Sequence, residues 1–198
     1  MAMAAVNCLI LVDLQAAFVS GPVAVPGATV LLAAATDLLA RARQARSLII
    51  HLQNDGAPGT EDEPGTSGWV LFVEPGAGET VIRKTTDDGF DGTNLEDILA
   101  ASRIRRLAVT GVMSEMCVSA TARSALHRGL AVVLPHDAHA TYDIPAAPGI
   151  APAIPAAMVA RVAEWALGDQ LELPVTGRDV QFTAAPYGDL GEVSAKPA

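Results

Sequence analysis

The chain has 198 residues, 51% of them hydrophobic and 18% charged, which fits one globular domain over 1–198 and excludes a disordered or low-complexity chain. Lys and Arg total 13 against 22 Asp and Glu, so the net charge is −9, whereas a nucleic-acid binder needs a basic surface. Charges, Pro and Gly interrupt every apolar stretch before it reaches the roughly 18–20 residues of a membrane span, so we expect no membrane partner. The first residues lack the basic segment of a signal peptide, so we expect a cytoplasmic protein.

Strand-like and helix-like segments alternate along the chain. Continuous runs of Leu, Ile and Val are typical of strands buried on both faces, whereas apolar residues at three- and four-residue spacing are typical of a helix. The predicted strands cover 8–15, 47–53, 80–85, 106–112 and 131–140, and the predicted helices cover 27–46, 93–103, 114–130 and 155–167. This alternation predicts a three-layer α/β/α fold with a central, mostly parallel open sheet.

Two segments have less regular patterns. Segment 69–79 is predicted to form a short strand or a turn, because its apolar start runs into Pro and Gly. Residues 168–198 are interpreted as a C-terminal extension that adds an edge strand at 171–175 or 179–183, or reaches as an arm onto a neighbouring chain. We expect the last ten residues to be loose.

Three polar residues stand at or just beyond the ends of predicted strands. Asp13 closes the first strand, Lys84 closes the third, and Cys117 lies in the first turns of the helix after the fourth. Because the carboxyl ends of parallel strands meet at one edge of a sheet, we expect these side chains to share a cleft. Lys84 stands out because the chain has two lysines against eleven arginines, so an arginine would serve wherever only a positive charge is wanted.

This combination is typical of an activated nucleophile. Ser114 is the predicted N-cap of the helix that carries Cys117, and the positive end of a helix dipole lowers the pKa of a thiol. A nearby lysine lowers that pKa further, and a carboxylate accepts the thiol proton or orients the pair. Each residue also has an ordinary interpretation, as a buried structural cysteine, a solvated lysine or a turn-forming aspartate. The other cysteine, Cys8, lies in a different element, so we predict no disulfide framework.

Three longer segments resemble a known family. LVDLQAAF, RKTTDDGFDGTNLEDIL and VTGVMSEMCVSATARSALHRGLAVVLPHDAHA together resemble the isochorismatase-like cysteine hydrolases, over residues 7–167. The most specific part is GVMSEMCVSATARSAL, where Gly-Val, four further residues and Cys-Val match the family pattern. The family includes nicotinamidases, N-carbamoylsarcosine amidases and related amide and lactam hydrolases. The resemblance therefore implies hydrolysis of a small-molecule amide or lactam.

The resemblance also implies roles for individual residues. Asp13, Lys84 and Cys117 match the catalytic positions: Cys117 is the nucleophile that forms a thioester, Asp13 moves the protons, and Lys84 stabilises the charges. The peptide bond between Val112 and Met113 is implied to be cis. The amides of Met113 and Cys117 are then the implied donors to the substrate oxygen.

Several residues are candidates for lining the substrate. Gln15 and Phe18 match positions that do so in the family. Trp69 follows an acidic loop, and both a core position and a cleft wall fit its place in the sequence. The acidic run at 61–63 is either solvated or attracts a cationic substrate. Streptothricin hydrolases of this family open a lactam on a strongly basic antibiotic, so a streptothricin-type lactam is one expected substrate.

We expect neither a metal nor another cofactor. Nicotinamidases hold a metal through an Asp-x-His pair after the second strand and a further His, whereas the matching stretch HLQNDG lacks that order. His136 and His139, three residues apart after the fifth strand, fit hydrogen bonding or capping. Metal binding by these two residues, or near His51, stays open.

Other functions and the assembly state also stay open. A catalytically silent relative would bind a small ligand or partner, and nicotinamidase-like or isochorismatase-like activity would change the substrate. A redox role for Cys117 would call for a resolving cysteine, and none is near in sequence. The family implies a homodimer or homotetramer, and the Pro-rich stretch 144–157 is a candidate contact between chains.

Overall fold

The structure, a computed structural model, describes residues 4–186. Its centre is one open sheet whose named strands all pair in parallel. The strands are β1 (Cys8–Val12), β2 (Leu48–Asn54), β3 (Thr80–Lys84), β4 (Arg106–Val112), β5 (Ala131–Val133), β6 (His139–Ala140) and β7 (Leu171–Glu172). Their order across the sheet is β3-β2-β1-β4-β5-β7, and the short β6 pairs with the last residues of β4.

Helices connect the strands. They are α1 (Ala16–Val19), α2 (Ala28–Ala45), α3 (Leu95–Ala101), α4 (Ser119–His127) and α5 (Ala156–Ala166), with a π-type turn at Ser114–Val118 and 3-10 turns at His136–Ala138 and Gly177–Asp179. None of the helices within the described residues combines the length and hydropathy of a membrane span.

Alternating side chains along β1 build two apolar layers. Ile10 and Val12 belong to the layer that α3 and α4 cover, whereas Leu9 and Leu11 belong to the layer that α2 covers. All four side chains are at most 1% exposed. A parallel sheet buried by helices on both faces is the predicted three-layer fold, which is thereby confirmed.

Most predicted elements form, with shifted ends. The strand at Arg106–Val112 has the predicted bounds. β1 ends earlier than predicted because Asp13 takes a left-handed φ of 50°. No strand forms at 69–79 among the described residues; a single bridge there joins Leu71 to Gln15.

The predicted helix at 114–130 divides in two. The π-type turn comes first, and α4 begins only at Ser119. The prediction of Ser114 as an N-cap is wrong, because its hydroxyl lies 2.8 Å from Nδ1 of His139 and makes no capping bond. Gly129, with a φ of 76°, follows the end of α4 as a C-terminal glycine should.

The described part of the C-terminal extension joins this chain's own sheet. Leu171–Glu172 pairs in parallel with β5, at the place of the first predicted edge strand. Arg106 forms an ion pair with Glu172, and Phe182 bridges to Val6. The predicted loose end, 189–198, lies outside the described residues.

Candidate active site

Asp13 stands immediately beyond β1, at the carboxyl edge of the sheet. Its N–H donates to the Leu52 carbonyl at 3.0 Å, and its left-handed backbone then turns the chain away from the ladder. Aspartate tolerates this conformation better than most residues. The residue is 1% exposed, and Oδ1 has no hydrogen-bond partner among the described residues. One carboxylate oxygen is therefore open to accept a proton.

Lys84 is the last residue of β3 and points into the same site. Its Nζ lies 2.8 Å from Asp13 Oδ2 and 3.4 Å from Cys117 Sγ. Nζ also donates to the Thr86 carbonyl at 3.1 Å. An ammonium has three N–H donors, so each of them has a partner here. The structure thus brings together the three residues that the sequence nominated.

The π-type turn sets the position of Cys117. β4 ends at Val112, the Val112–Met113 peptide bond is cis, and the chain then enters the turn. Met116 breaks the helical backbone with φ −106° and ψ −107°, and the Val118 N–H reaches back to the Met113 carbonyl at 3.2 Å. π-type turns are frequent at functional sites, where they displace a side chain from a regular helix path. Cys117 is left 7% exposed.

The charges of the three residues depend on one another. Burial raises the pKa of the Asp13 carboxyl, although Lys84 opposes this. Burial alone would lower the pKa of Lys84, but Asp13 and Cys117 reverse the effect, and the pKa of Lys84 lies above its usual value. We conclude that the ammonium stays charged at neutral pH.

The pKa of the Cys117 thiol is raised, which corrects the prediction of a lowered one. Burial is the main cause, and the Asp13 carboxylate adds to it against the opposing effect of Lys84. The predicted help from a helix dipole is weakened because α4 begins only at Ser119, after the thiol. The resting sulfur is therefore a thiol, which would need a base in order to act as a nucleophile.

A third charged residue, Asp87, lies beside the sulfur, and the sequence analysis missed it. The exposed Asp87 places Oδ1 3.6 Å from Cys117 Sγ, and its charge also raises the thiol pKa. The signal was available, since Asp87 follows Lys84 by three residues in the loop at the carboxyl end of β3.

The polar groups of Gln15 form hydrogen bonds within the protein, and its predicted lining of the substrate stays a prediction. Its Nε2 donates to the carbonyls of Asn54 and Trp69 at 2.9 and 3.1 Å, and its Oε1 accepts from the Asn54 N–H at 2.8 Å. The residue is fully buried. It therefore fastens the end of β2 and the Trp69 loop to the segment after β1.

Phe18 and Trp69 lie in different surroundings. Phe18 packs against the apolar layer under α2, whereas Cys117 belongs to the layer under α3 and α4. Trp69 is partly buried, its Nε1 donates to Asp55 at 2.9 Å, and Arg83 stacks 5.1 Å from its ring centre. Trp69 is thus held at the edge of the sheet by polar contacts, outside the core. Substrate contact by either residue stays a prediction.

Two of the three carboxylates at 61–63 accept hydrogen bonds from other groups of this protein. Asp62 is 7% exposed and accepts from Asn54 Nδ2 at 2.7 Å and Thr60 Oγ1 at 2.8 Å. Glu63 accepts from the Gly59 N–H at 2.7 Å. Of the run at 61–63, only Glu61 is left exposed. Its expected attraction for cations is therefore reduced.

His51 belongs to a hydrogen-bonded cluster at the β2–β3 edge. Its Nε2 lies 2.7 Å from Glu79 Oε2, and Arg43 donates to the same carboxylate at 2.6 Å. Burial alone would raise the pKa of Glu79, but Arg43, the Gly76 amide and His51 hold it at about 2. Burial also lowers the pKa of His51.

His136 and His139 converge on Glu164, and their three candidate ligand atoms lie within 4.8 Å of one another. One oxygen, Oε1, lies 2.5 Å from His136 Nδ1 and 3.0 Å from His139 Nε2. Ligands around a tetrahedral zinc ion, at about 2.0–2.2 Å from it, stand roughly 3.3 Å apart. The observed spacing fits hydrogen bonds better than ligation, as the sequence interpretation favoured.

Comparison with known proteins gives the family. The isochorismatase domain model matches residues 7–148, which is most of the chain. The chain belongs to the isochorismatase family. The resemblance inferred from the three motif segments is thereby confirmed.

Individual members of the isochorismatase family are close to this chain. Two streptothricin hydrolases of Streptomyces noursei are 59% and 57% identical, each over 94% of this chain and over 75% and 68% of their own lengths. The crystal structure of an isochorismatase from Pseudomonas putida KT2440 superposes with a TM-score of 0.80 at 29% identity, covering 88% of this chain and 90% of the other.

Proposed function

We propose that this protein hydrolyses an amide or lactam bond of a small molecule through a thioester on Cys117. The observation that carries the proposal is the place of Lys84 Nζ, between Asp13 Oδ2 at 2.8 Å and Cys117 Sγ at 3.4 Å. One buried ammonium thus contacts both the base and the nucleophile. The protein is a hydrolase of carbon–nitrogen bonds other than peptide bonds, in keeping with its family and with relatives at 57–59% identity.

The first half-reaction starts from the neutral thiol. The Asp13 carboxylate takes the proton from Cys117 while Sγ attacks the substrate carbonyl carbon, so a carbon–sulfur bond forms and the carbonyl oxygen becomes negative. Lys84 stays protonated and stabilises the charge that moves between sulfur and carboxylate. The raised pKa of Asp13 suits this role, since a base works best when its pKa lies near the working pH.

Collapse of the tetrahedral intermediate forms the thioester. Asp13 returns its proton to the nitrogen, and the carbon–nitrogen bond breaks. In the second half-reaction Asp13 takes a proton from water, the hydroxyl adds to the thioester carbon, and the carbon–sulfur bond breaks. Asp13 then gives that proton to the Cys117 sulfur, which restores the thiol and the carboxylate. A linear amide releases its amine in the first step, whereas a lactam keeps it attached and leaves as one ring-opened product.

Backbone amides are the proposed donors to the negative oxygen. The N–H groups of Met113 and Cys117 flank the start and the kink of the π-type turn, and Val112 before them is fully buried in β4. Preorganised backbone donors of this kind typically contribute about 2.7–4 kcal/mol each to transition-state binding.

The proposed substrate is a cationic lactam of the streptothricin type. Streptothricin is the substrate named for the relatives at 59% and 57% identity. The exposed carboxylate of Asp87, 3.6 Å from the nucleophilic sulfur, favours a positive group next to the scissile carbonyl. Opposite charges about 4 Å apart attract by roughly 1–4 kcal/mol between bulk water and a protein surface.

A substrate panel tests the activity. Purified protein is incubated with streptothricin, nicotinamide, N-carbamoylsarcosine and isochorismate, and products are followed by mass spectrometry. We expect hydrolysis of streptothricin, and loss of at least about 1,000-fold in Cys117→Ala with full activity in the matched control Cys8→Ala. Cys8 is fully buried in β1, where burial raises its pKa. Turnover of another panel member alone would refute the streptothricin assignment, and no turnover at all would favour a catalytically silent relative.

Self-association is the proposed assembly. The outer face of α5 exposes Met158, Val162 and Trp165 by 58%, 62% and 76%, at four- and three-residue spacing. Ile150, within the predicted contact at 144–157, is 86% exposed. Apolar stripes of this kind mark contact surfaces. Light scattering should give a dimer or tetramer that Val162→Glu dissociates, and a monomeric wild type would contradict this.

The cytoplasmic location stays a prediction.

A further inference from the structure

We propose that a buried chain of hydrogen bonds, Ser114–His139–Glu164, positions the turn that carries the nucleophile. The inference rests on the proposed function and adds residues that act on Cys117 through the backbone, without touching the substrate. Glu164 lies on α5, at the far end of the sequence from the nominated residues.

Ser114 ties the π-type turn at one end. It stands between Met113 and Cys117, is 1% exposed, and places its Oγ 2.8 Å from Nδ1 of His139. Its carbonyl accepts from Ser119 Oγ at 2.8 Å, in the first turn of α4. Hydrogen bonds thus hold Ser114 through both its side chain and its carbonyl. The position of Ser114 in turn determines where the proposed donors, the amides of Met113 and Cys117, lie.

His139 is held without freedom to rotate. It lies on β6, which pairs with β4 so that His139 stands opposite Gly111. The side chain is fully buried, and its second nitrogen, Nε2, lies 3.0 Å from Glu164 Oε1. Because a carboxylate only accepts, Nε2–H is the donor to Glu164, while Nδ1 makes the hydrogen bond with the Ser114 hydroxyl. The imidazole therefore links the Ser114 hydroxyl to the Glu164 carboxylate.

Glu164 closes the chain with a charge that is costly to bury. Its side chain is fully buried, and Oε1 also lies 2.5 Å from His136 Nδ1, while Oε2 lies 3.3 Å from Arg161. Burial alone would raise the pKa of Glu164, but His139 and His136 lower it, so the carboxylate stays ionised. An apolar residue would fill the same space without that cost. The buried carboxylate fixes His139, and through it the turn.

Three substitutions distinguish a role in positioning the π-type turn from a role in the stability of the fold alone. Ser114→Ala removes the link. His139→Gln keeps a group near Nε2 but loses the contact at Nδ1, whereas His139→Asn keeps a group near Nδ1 for Ser114. The matched control is Ser102→Ala, a serine 1% exposed at the end of α3 whose hydroxyl has no partner among the described residues.

Both steady-state hydrolysis of streptothricin and the burst of p-nitrophenol from p-nitrophenyl acetate are measured. We expect kcat and the burst rate to fall about 10- to 100-fold in Ser114→Ala and His139→Gln, with KM within twofold. His139→Asn should recover part of the rate, because it restores the contact with Ser114 but not the one with Glu164, and Ser102→Ala should equal the wild type. If streptothricin is not hydrolysed, the streptothricin assignment fails, while the burst with p-nitrophenyl acetate still tests the hydrogen-bonded chain.

Several results would overturn the proposal. Full rates in Ser114→Ala would do so, as would equal losses in His139→Asn and His139→Gln. If Ser114→Ala does not fold, the comparison of the two His139 variants decides. Stoichiometric zinc on the purified protein, lost in Glu164→Gln, would also overturn it, because the three groups would then be ligands. If the loss of rate in the Ser114 and His139 variants only parallels the fall in their melting temperatures, the chain has a purely structural role and the proposal is wrong.

Discussion

Lys84 Nζ and Asp13 Oδ2 form an ion pair of 2.8 Å in which both side chains are at most 2% exposed. The two residues are 71 positions apart in sequence, and their strands, β3 and β1, are separated by β2. They meet because parallel strands end at one edge of the sheet. Removing one partner of such a pair leaves the other charge buried and uncompensated, which is strongly destabilising.

Lys84→Arg should inactivate the protein although it keeps the charge. The guanidinium is larger, planar and forked, and it cannot place one compact cation between a carboxylate and a sulfur. We expect kcat to fall at least about 100-fold. Arg83→Lys, at the exposed neighbouring position, is the control and should stay active. Normal rates in Lys84→Arg would mean that Lys84 supplies only diffuse charge.

The acid limb of the pH–rate profile should reflect Asp13. The proposed mechanism needs the Asp13 carboxylate, and burial raises its pKa, so kcat/KM should fall as the pH decreases, with a midpoint above the ordinary value of about 3.9. Asp13→Asn should lose about 100- to 10,000-fold at every pH. The exposed Asp91→Asn serves as the control. A midpoint at or below 3.9, or an active Asp13→Asn, would argue against this role.

Asp87→Asn should reduce the preference for cationic substrates and leave the rate of attack by Cys117 on a neutral substrate unchanged. Loss of the carboxylate 3.6 Å from Sγ weakens the attraction for a cation, so kcat/KM for streptothricin should fall about 5- to 50-fold. The burst with neutral p-nitrophenyl acetate should stay within threefold of the wild type. Equal losses on both substrates would show that Asp87 serves the chemistry, and no loss on either would remove it from substrate binding.

The His51–Glu79–Arg43 cluster should make stability depend on pH. The folded pKa of Glu79, about 2, lies below the unfolded value of about 4.3, so its stabilisation is present above 4.3 and is lost as the pH falls towards 2. Glu79→Gln should therefore melt at a lower temperature at pH 7, and the difference from the wild type should shrink at pH 3. Glu74→Gln, an exposed neighbour, should melt like the wild type. A difference that is constant with pH would contradict this.

Gly111 is the position where β4 tolerates no side chain. A Cβ there would stand 2.0 Å from the Val12 carbonyl oxygen, on a backbone with φ +139°. Gly111→Ala should lower the free energy of unfolding by at least about 3 kcal/mol in chemical denaturation. Gly129→Ala, with φ +76° and open space around it, should cost only about 1–2 kcal/mol. Similar costs at both positions would mean that β1 and β4 can separate.

Local sequence patterns account for the sheet and for the meeting of Asp13, Lys84 and Cys117. Continuous apolar runs predict buried parallel strands, and the carboxyl ends of parallel strands lie at one edge of the sheet. The pKa of the thiol could not be predicted in this way, because it depends on burial and on the late start of α4. Contacts between distant segments that do not end at the same edge of the sheet could not be predicted either.

Gln15 and Glu164 illustrate those hidden contacts. The polar groups of Gln15 are used by backbone 39 and 54 residues away, which no local pattern reveals. Glu164 lies in a helix whose other residues, apart from Arg161, are apolar, and a carboxylate in that pattern was the available signal.

The mass of the intact protein after acid quench, during turnover of streptothricin, tests the central claim most directly. A lactam opened by Cys117 should add the whole substrate mass, on the peptide that contains Cys117, in the wild type and in Cys8→Ala. Cys117→Ala should carry no adduct and show no turnover. Turnover by Cys117→Ala, or an adduct on any other residue, would contradict the account.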